Sequence, residues 1–220
     1  PTAVTDTILQ TLLEEKGIVK KPSSDEILLR DAEIPDSFKN FEGYYTSRDG
    51  IRKVEISPDK TGIILSIYDG EGFKPAGILT YKEDGRFYRQ DGISYSIAEH
   101  GEGKVIIAYP YGPNAGIVQY EMLNNIDDID TSAFSGKVWV PRNHGPYDFF
   151  VKMYRTETIP EIPGYIFIND GETYTPLALK GPTETRMSFN YIRDQYEILL
   201  QNIEGETLIY SYGNYYSDDS

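Results

Sequence analysis

The sequence predicts an all-β protein: two antiparallel, barrel-like β units in tandem, preceded by one N-terminal α-helix. Three observations carry this prediction. From residue 36 onward, short runs of alternating apolar and polar residues follow one another, separated by turns rich in Gly, Asp and Pro. The 220 residues include 19 Tyr and 9 Phe, and an aromatic ring suits a half-buried pleated surface. The pattern stops at an acidic connector, NNIDDID (124–130), and then restarts.

The helix is expected over residues 2–16, TAVTDTILQTLLEEK, where Ile8, Leu9, Leu12 and Leu13 recur at helical spacing. Thr5 or Asp6 can cap its start and Gly17 can end it. A single amphipathic helix has to pack on something. That is either the β region that follows or an upstream domain, of which residues 1–17 would be the remnant. Residues 18–35 read as a linker: Pro22, Ser23 and Ser24 break structure and Pro35 closes the segment.

The first β-barrel unit is expected over residues 36–126. Its strands are FEGYYTS (41–47), IRKVEIS (51–57), GIILSIY (62–68), FKPAGILTY (73–81), RFYRQ (86–90), ISYSIAE (93–99), KVIIAYP (104–110) and GIVQYEM (116–122). Asp-Gly pairs and Gly112-Pro113-Asn114 supply turns between them. Consecutive antiparallel strands of this length can close into an up-and-down barrel and leave no edge. The second β unit is expected over 127–220, with about seven strands: 133–140, 147–154, 164–168, 173–180, 185–192, 195–202 and 206–213. AFSGKVWV (133–140) echoes NFEGYYTS (40–47): Phe, one residue, Gly, then a strand with an aromatic. The echo marks either a degenerate two-fold repeat or a coincidence of short motifs.

Bulk properties narrow the function. A net charge of −14 repels nucleic acid and anionic lipid, so neither is an expected partner. With no Cys there is no disulfide framework and no thiolate chemistry. The two histidines, His100 and His144, would need carboxylates to complete a zinc site, so no metal or cofactor is expected. Apolar runs are too short to cross a bilayer, mean hydropathy is −0.46, and no signal peptide is visible. The chain begins at Pro1 and reads as a mature form or an excised fragment.

One stretch spells catalytic motifs. Ser57-Pro58-Asp59-Lys60 is S-x-x-K and Lys60-Thr61-Gly62 is K-T-G, both found in serine beta-lactamases and penicillin-binding proteins. That chemistry needs Ser and Lys one turn apart on a buried helix, with the amine desolvated enough to help activate the hydroxyl. Here Pro58 and Asp59 are turn formers between two alternating runs, so an exposed hydroxyl and a charged amine are expected. One lysine would also have to serve both motifs. The match to the third motif, Tyr212-Gly213-Asn214, follows K-T-G instead of preceding it. No catalytic residue is assigned.

Other constellations are weaker. Asp127, Asp128 and Asp130 lack the glycine and late glutamate of a calcium loop and read as a solvated connector. Asp130-Thr131-Ser132 has Ser where an aspartic-protease triplet needs Gly. A glycosidase-like pair among the 35 acidic residues is not locatable from sequence. The loop containing Trp139, Arg142, His144 and Tyr147 either meets a ligand or partner at a barrel mouth, or is a Pro/Gly turn behind a core Trp139.

The helix ILQTLLEEKGI, the linker, DSFKNFEGYYTS (36–47) and the repeated tyrosine-rich strands resemble the C-terminal region of bacterial beta-lactamase-like serine hydrolases. These belong to the superfamily of penicillin-binding proteins, class C beta-lactamases and D-aminopeptidases. D-aminopeptidases of this superfamily carry two lipocalin-like β-barrels after the catalytic domain. The match covers most of the chain in texture, and Phe41-x-Gly43-Tyr44-Tyr45 is its best local part. The resemblance implies two lipocalin-like barrels, no catalytic residue in this chain, and an upstream catalytic domain as partner in the same protein. It also implies an extracellular or cell-surface bacterial location. The implied role is a non-catalytic accessory region that packs on the catalytic domain and shapes substrate access. The alternatives are a free-standing lipocalin-like module for an apolar ligand or glycan, and an autonomous hydrolase.

Overall fold

The computed structural model describes residues 12, 15–16, 29–47, 50–101, 103–124, 126, 129–142, 153–181, 184–187, 198–211 and 213–219. Of the expected helix, Leu12 and Glu15 are helical, and the Lys16 amide donates to the Leu12 carbonyl at 3.1 Å. The rest of that helix, Gly17, and residues 18–28 of the linker lie outside the described residues. Asp31–Ser220 form one body, separate from Pro1–Arg30.

The first eight strands are β1 (Gly43–Ser47), β2 (Gly50–Ile56), β3 (Gly62–Tyr68), β4 (Phe73–Tyr81), β5 (Phe87–Tyr88), β6 (Ser94–His100), β7 (Gly103–Tyr109) and β8 (Ile117–Met122). Each pairs antiparallel with the next, and β1 pairs with β8 through Tyr45↔Met122 and Thr46↔Glu121 to close the barrel. The closure follows from turn chemistry at short intervals, which leaves each strand only its sequence neighbour to pair with. The run 86–90 contributes only two strand residues, Phe87 and Tyr88.

The second sheet comprises β9 (Val138–Pro141), β10 (Tyr154–Glu157), β11 (Tyr165–Asn169), β12 (Tyr174–Gly181), β13 (Glu184–Met187), β14 (Ile198–Ile203), β15 (Glu206–Ser211) and β16 (Asn214–Asp218). Its order is β13-β12-β11-β10-β9-β16-β15-β14: β9 pairs with β10 and with the last strand, β16, as β1 pairs with β2 and β8, while β13 and β14 form the ends of the sheet among the described residues. Among the described residues the count is eight strands, where sequence suggested about seven. The run read as one strand over 206–213 ends at Ser211, and the chain reverses at Gly213 into β16. Of the expected strand 147–154, all but Met153 and Tyr154 lies outside the described residues.

The Phe-x-Gly echo has a structural counterpart. A 3-10 turn, Asp36–Phe41, precedes β1, and a second, Ser132–Phe134, precedes β9. In the first barrel the Tyr45 hydroxyl donates to the Phe41 carbonyl at 2.8 Å. In the second, the Trp139 indole N–H donates to Thr156 Oγ1 at 2.9 Å, and that hydroxyl donates to the Phe134 carbonyl at 2.5 Å. Each opening aromatic is thus tied back to the carbonyl of its 3-10 Phe.

One end of the first barrel, called lower here, is closed by residues 31–41. The Ala32 N–H donates to the Tyr81 carbonyl at 3.0 Å and the Ile34 N–H to the Lys60 carbonyl at 2.8 Å. Ile34 is buried, and Phe38 packs edge-on against Tyr81 and Phe87 at centroid distances of 5.7 and 5.6 Å. Lys82 pairs with Asp31. Residues 31–35, expected at the end of a linker, are therefore part of the barrel's packing. Val54, Ile63, Leu79, Phe87 and Ile106 fill the lumen above this plug. A crevice under the plug, lined by Phe38, Phe41, Glu42, Val54, Ile56, Ile63 and Ile97, has no room for a water molecule.

The barrel and the second sheet share a third apolar core. Ile51 and Leu123 from the first half meet Ile159, Ile162, Tyr165 and Phe167 from the second, with Tyr44, Tyr68, Phe73, Ile126 and Tyr174 packed around them. Among the described residues no helix is long and apolar enough to cross a membrane.

Candidate functional site

Ser57 through Thr61 form the turn between β2 and β3. The Ser57 N–H donates to the Gly62 carbonyl and the Lys60 N–H to the Ser57 carbonyl, each at 2.8 Å. The Ser57 hydroxyl donates to Asp59 Oδ1 at 2.6 Å and accepts from the Gly62 N–H at 3.0 Å. Ser57 is only 8% exposed, which corrects the expectation of a solvent-facing hydroxyl. The physical reason is that both sides of the hydroxyl are used to close the turn, which draws it inward. Lys60 is half exposed, and its ammonium lies 3.0 Å from Asp36 and 3.7 Å from Glu33. The hydrogen bond to Asp36 and the two acidic charges raise its pKa, so its amine stays charged. A nucleophilic serine needs a neighbouring base able to take its proton. The carboxylate that Ser57 faces has its pKa lowered, first by that same hydroxyl, and is a poor base.

Asp59 has a testable signature. Its folded-state pKa is below its unfolded value. The associated stability is therefore present above the usual carboxylate range and is lost as pH falls through the depressed value. In an NMR titration Asp59 is expected to titrate below an ordinary Asp. Ser57→Ala should return it towards the ordinary value and cost about 1 kcal/mol through the lost turn hydrogen bonds. An unshifted Asp59 in the wild type would contradict this assignment.

The structure does not gather the remaining sequence candidates around that turn. Asp127, Asp128, His144, Tyr147 and Tyr212 lie outside the described residues. Asp130 Oδ1 accepts from the Ser132 N–H at 2.9 Å, and hydrogen bonds from Ser132 lower its pKa. Trp139 is a core residue of the second sheet, 1% exposed. Arg142 pairs with Glu206, and its N–H donates to the Tyr215 carbonyl at 2.8 Å. His100 is exposed at the end of β6, opposite Gly103. Among the described residues no group of three His, Cys, Asp or Glu is placed to hold a metal.

The feature that sequence reading missed is the seam between the barrels. Four rings run across it in sequence: Tyr44 to Phe73 at 5.2 Å, Phe73 to Tyr68 at 5.3 Å, and Tyr68 to Tyr174 at 5.1 Å between centroids. Burial is the first cause of the raised pKa of all three tyrosines, and the nearby Glu157 and Glu161 charges add to it. A signal was available. YIFI (165–168) does not alternate, because Ile166 and Ile168 face the second sheet's core while Tyr165 and Phe167 face the seam. A strand buried on both faces reads as a continuous apolar run.

Comparison of the chain with protein-family models, curated proteins and solved structures finds no match.

Proposed function

We propose that this chain is a non-catalytic accessory region of a larger serine hydrolase of the beta-lactamase and penicillin-binding type. It would pack on the catalytic domain, outside the cell or at its surface, and shape substrate access. The observation that carries this reading is the seam. Side chains from both halves bury one another there, so the loops of two barrels are held at fixed spacing. Loops on a rigid scaffold are suited to defining the rim of a neighbouring cleft. The turn network around Ser57 and Lys60 supports reading Ser57 as a turn residue and not as a nucleophile.

Two experiments test it. The reading frame upstream of Pro1 is expected to encode an S-x-x-K helix, and deleting residues 31–220 from the whole protein should change its substrate range or turnover. No such helix, or unchanged kinetics, would sink the reading. A serine-reactive covalent probe should not label the isolated chain. Labelling that disappears in Ser57→Ala would favour an autonomous hydrolase instead.

A further inference from the structure

Residues 31–41 close the lower end of the first barrel without joining its sheet. Apart from one isolated bridge, Asp31↔Lys82, none of them pairs in a ladder. Among the described residues, two main-chain bonds tie residues 31–38 to the barrel. They run from the Ala32 N–H to the Tyr81 carbonyl at 3.0 Å and from the Ile34 N–H to the Lys60 carbonyl at 2.8 Å. By contrast, β3 pairs along its length with β2 on one side and β4 on the other.

The charged ties on this segment face solvent. Lys82, at the start of the β4–β5 turn, pairs with Asp31. Lys60, in the β2–β3 turn, holds Asp36 at 3.0 Å and Glu33 at 3.7 Å. The side chains of Asp31, Asp36 and Glu33 are 61, 93 and 74% exposed, and ion pairs so exposed are weak and screened by salt. Two apolar side chains complete the hold. Ile34 is buried, and Phe38 is half-buried against Tyr81 and Phe87. The far end is fixed differently: the buried Tyr45 donates its hydroxyl to the Phe41 carbonyl at 2.8 Å, and Lys104 donates to the Asn40 carbonyl. Residues 31–38 thus form an arm on a fixed end, and segments with few buried contacts and few ladder bonds open before the rest of a fold.

We propose that residues 31–38 are a latch over the lower mouth of the first barrel: it lifts about the Asn40–Phe41 end while the eight strands stay closed, and Lys60 and Lys82 hold it down electrostatically. Lifting withdraws Ile34 and Phe38 from the mouth. It bares Val54 and Ile63, which line the crevice beside Phe38. The free end of the arm is continuous with Arg30, so tension in the preceding chain acts on the latch before it reaches the strands. The latch goes beyond the accessory role and does not depend on it.

The test is amide hydrogen exchange on the whole chain, followed by NMR at low and at high salt. The Tyr81 amide is the internal reference, because it donates to the Thr61 carbonyl at 2.7 Å within the barrel itself. Ala32 and Ile34 should exchange about tenfold faster than Tyr81 or more, and salt should quicken them and not Tyr81. Replacing both lysines, Lys60→Met with Lys82→Met, should quicken them about fivefold and remove most of the salt response. Ile34→Ala should quicken Ala32 about thirtyfold or more and leave Tyr81 slow. The chain has no Cys, so Val54→Cys reports access to the crevice. Its labelling by a thiol reagent should rise with salt as Ala32 exchange does. Four results would each overturn the latch: Ala32 and Ile34 exchanging no faster than Tyr81, no response to salt or to the lysine substitutions, Tyr81 quickening with Ala32 in Ile34→Ala, or Val54→Cys labelling that follows Tyr81. Failure here leaves the deletion experiment on the accessory role untouched.

Discussion

Trp139→Ala should cost the β region about 4 kcal/mol, a large part of the stability of an ordinary domain. Trp139 is among the largest fully buried side chains, and it packs in the core that also contains Phe134, Tyr154, Ile166 and Leu177. Its removal leaves a cavity in a close-packed core that relaxes only partly. It also takes away the donor that binds Thr156, within the relay that ends on the Phe134 carbonyl. Trp139→Phe keeps much of the apolar volume but not the N–H, and should lose less. Urea unfolding followed by circular dichroism separates the two, because the chain has only 1 Trp and the variants lose their fluorescent reporter. Equal midpoints for wild type and Trp139→Ala would show that this core does not limit stability.

Gly164→Ala is expected to destabilise by about 3 kcal/mol and to loosen the seam. Gly164 has φ of +79°, where an L side chain costs roughly 1–2 kcal/mol. A Cβ there would also lie 2.3 Å from Ile126 Cβ and 2.5 Å from the Ile126 carbonyl oxygen. The second clash is with backbone, so rotation of a side chain does not relieve it. Ile126 packs against the core shared by both barrels, and displacing it should disturb residues of both. Gly171 is the control: its φ is +92° but a Cβ there would meet nothing within 4 Å. Gly171→Ala should show only the backbone part, so the difference between the two variants measures the clash. Hydrogen exchange at Ile51 and Phe167 should quicken together in Gly164→Ala and stay slow in Gly171→Ala. Identical losses in the two variants would mean that the contact with Ile126 contributes nothing.

These effects show which parts of the architecture could be read from the chain. The strands of the first barrel were legible because short apolar runs, several of them alternating as in IRKVEIS, end in residues that favour reversal, such as Asp69-Gly70 and Asp91-Gly92. The last strand, β16, was not separated from β15, because Tyr212 and Gly213 sit between two tyrosine-bearing runs with little change in polarity. Residues 31–35 looked like linker because Pro35 and their charges suggest solvent. Ile34 nevertheless finds an apolar barrel end that exists only after closure. The S-x-x-K reading was settled locally in one respect, the turn, and missed in another. The burial of Ser57 depends on the Gly62 N–H and on the packing of β2 against β3.

The order of residues by itself determined an all-β chain, the hairpin succession of the first eight strands and the echo that opens each half. Alternation and turn preference act over a few neighbours and need no distant partner. Only the folded body decided that outward-facing Ile51 is buried, and Tyr44 and Tyr68 half-buried, in a second interface, and that Ile34 is buried at the end of the closed ring. Both outcomes depend on which surfaces meet across the ring and between the two sheets. Those meetings join residues far apart along the chain, where no local pattern reaches.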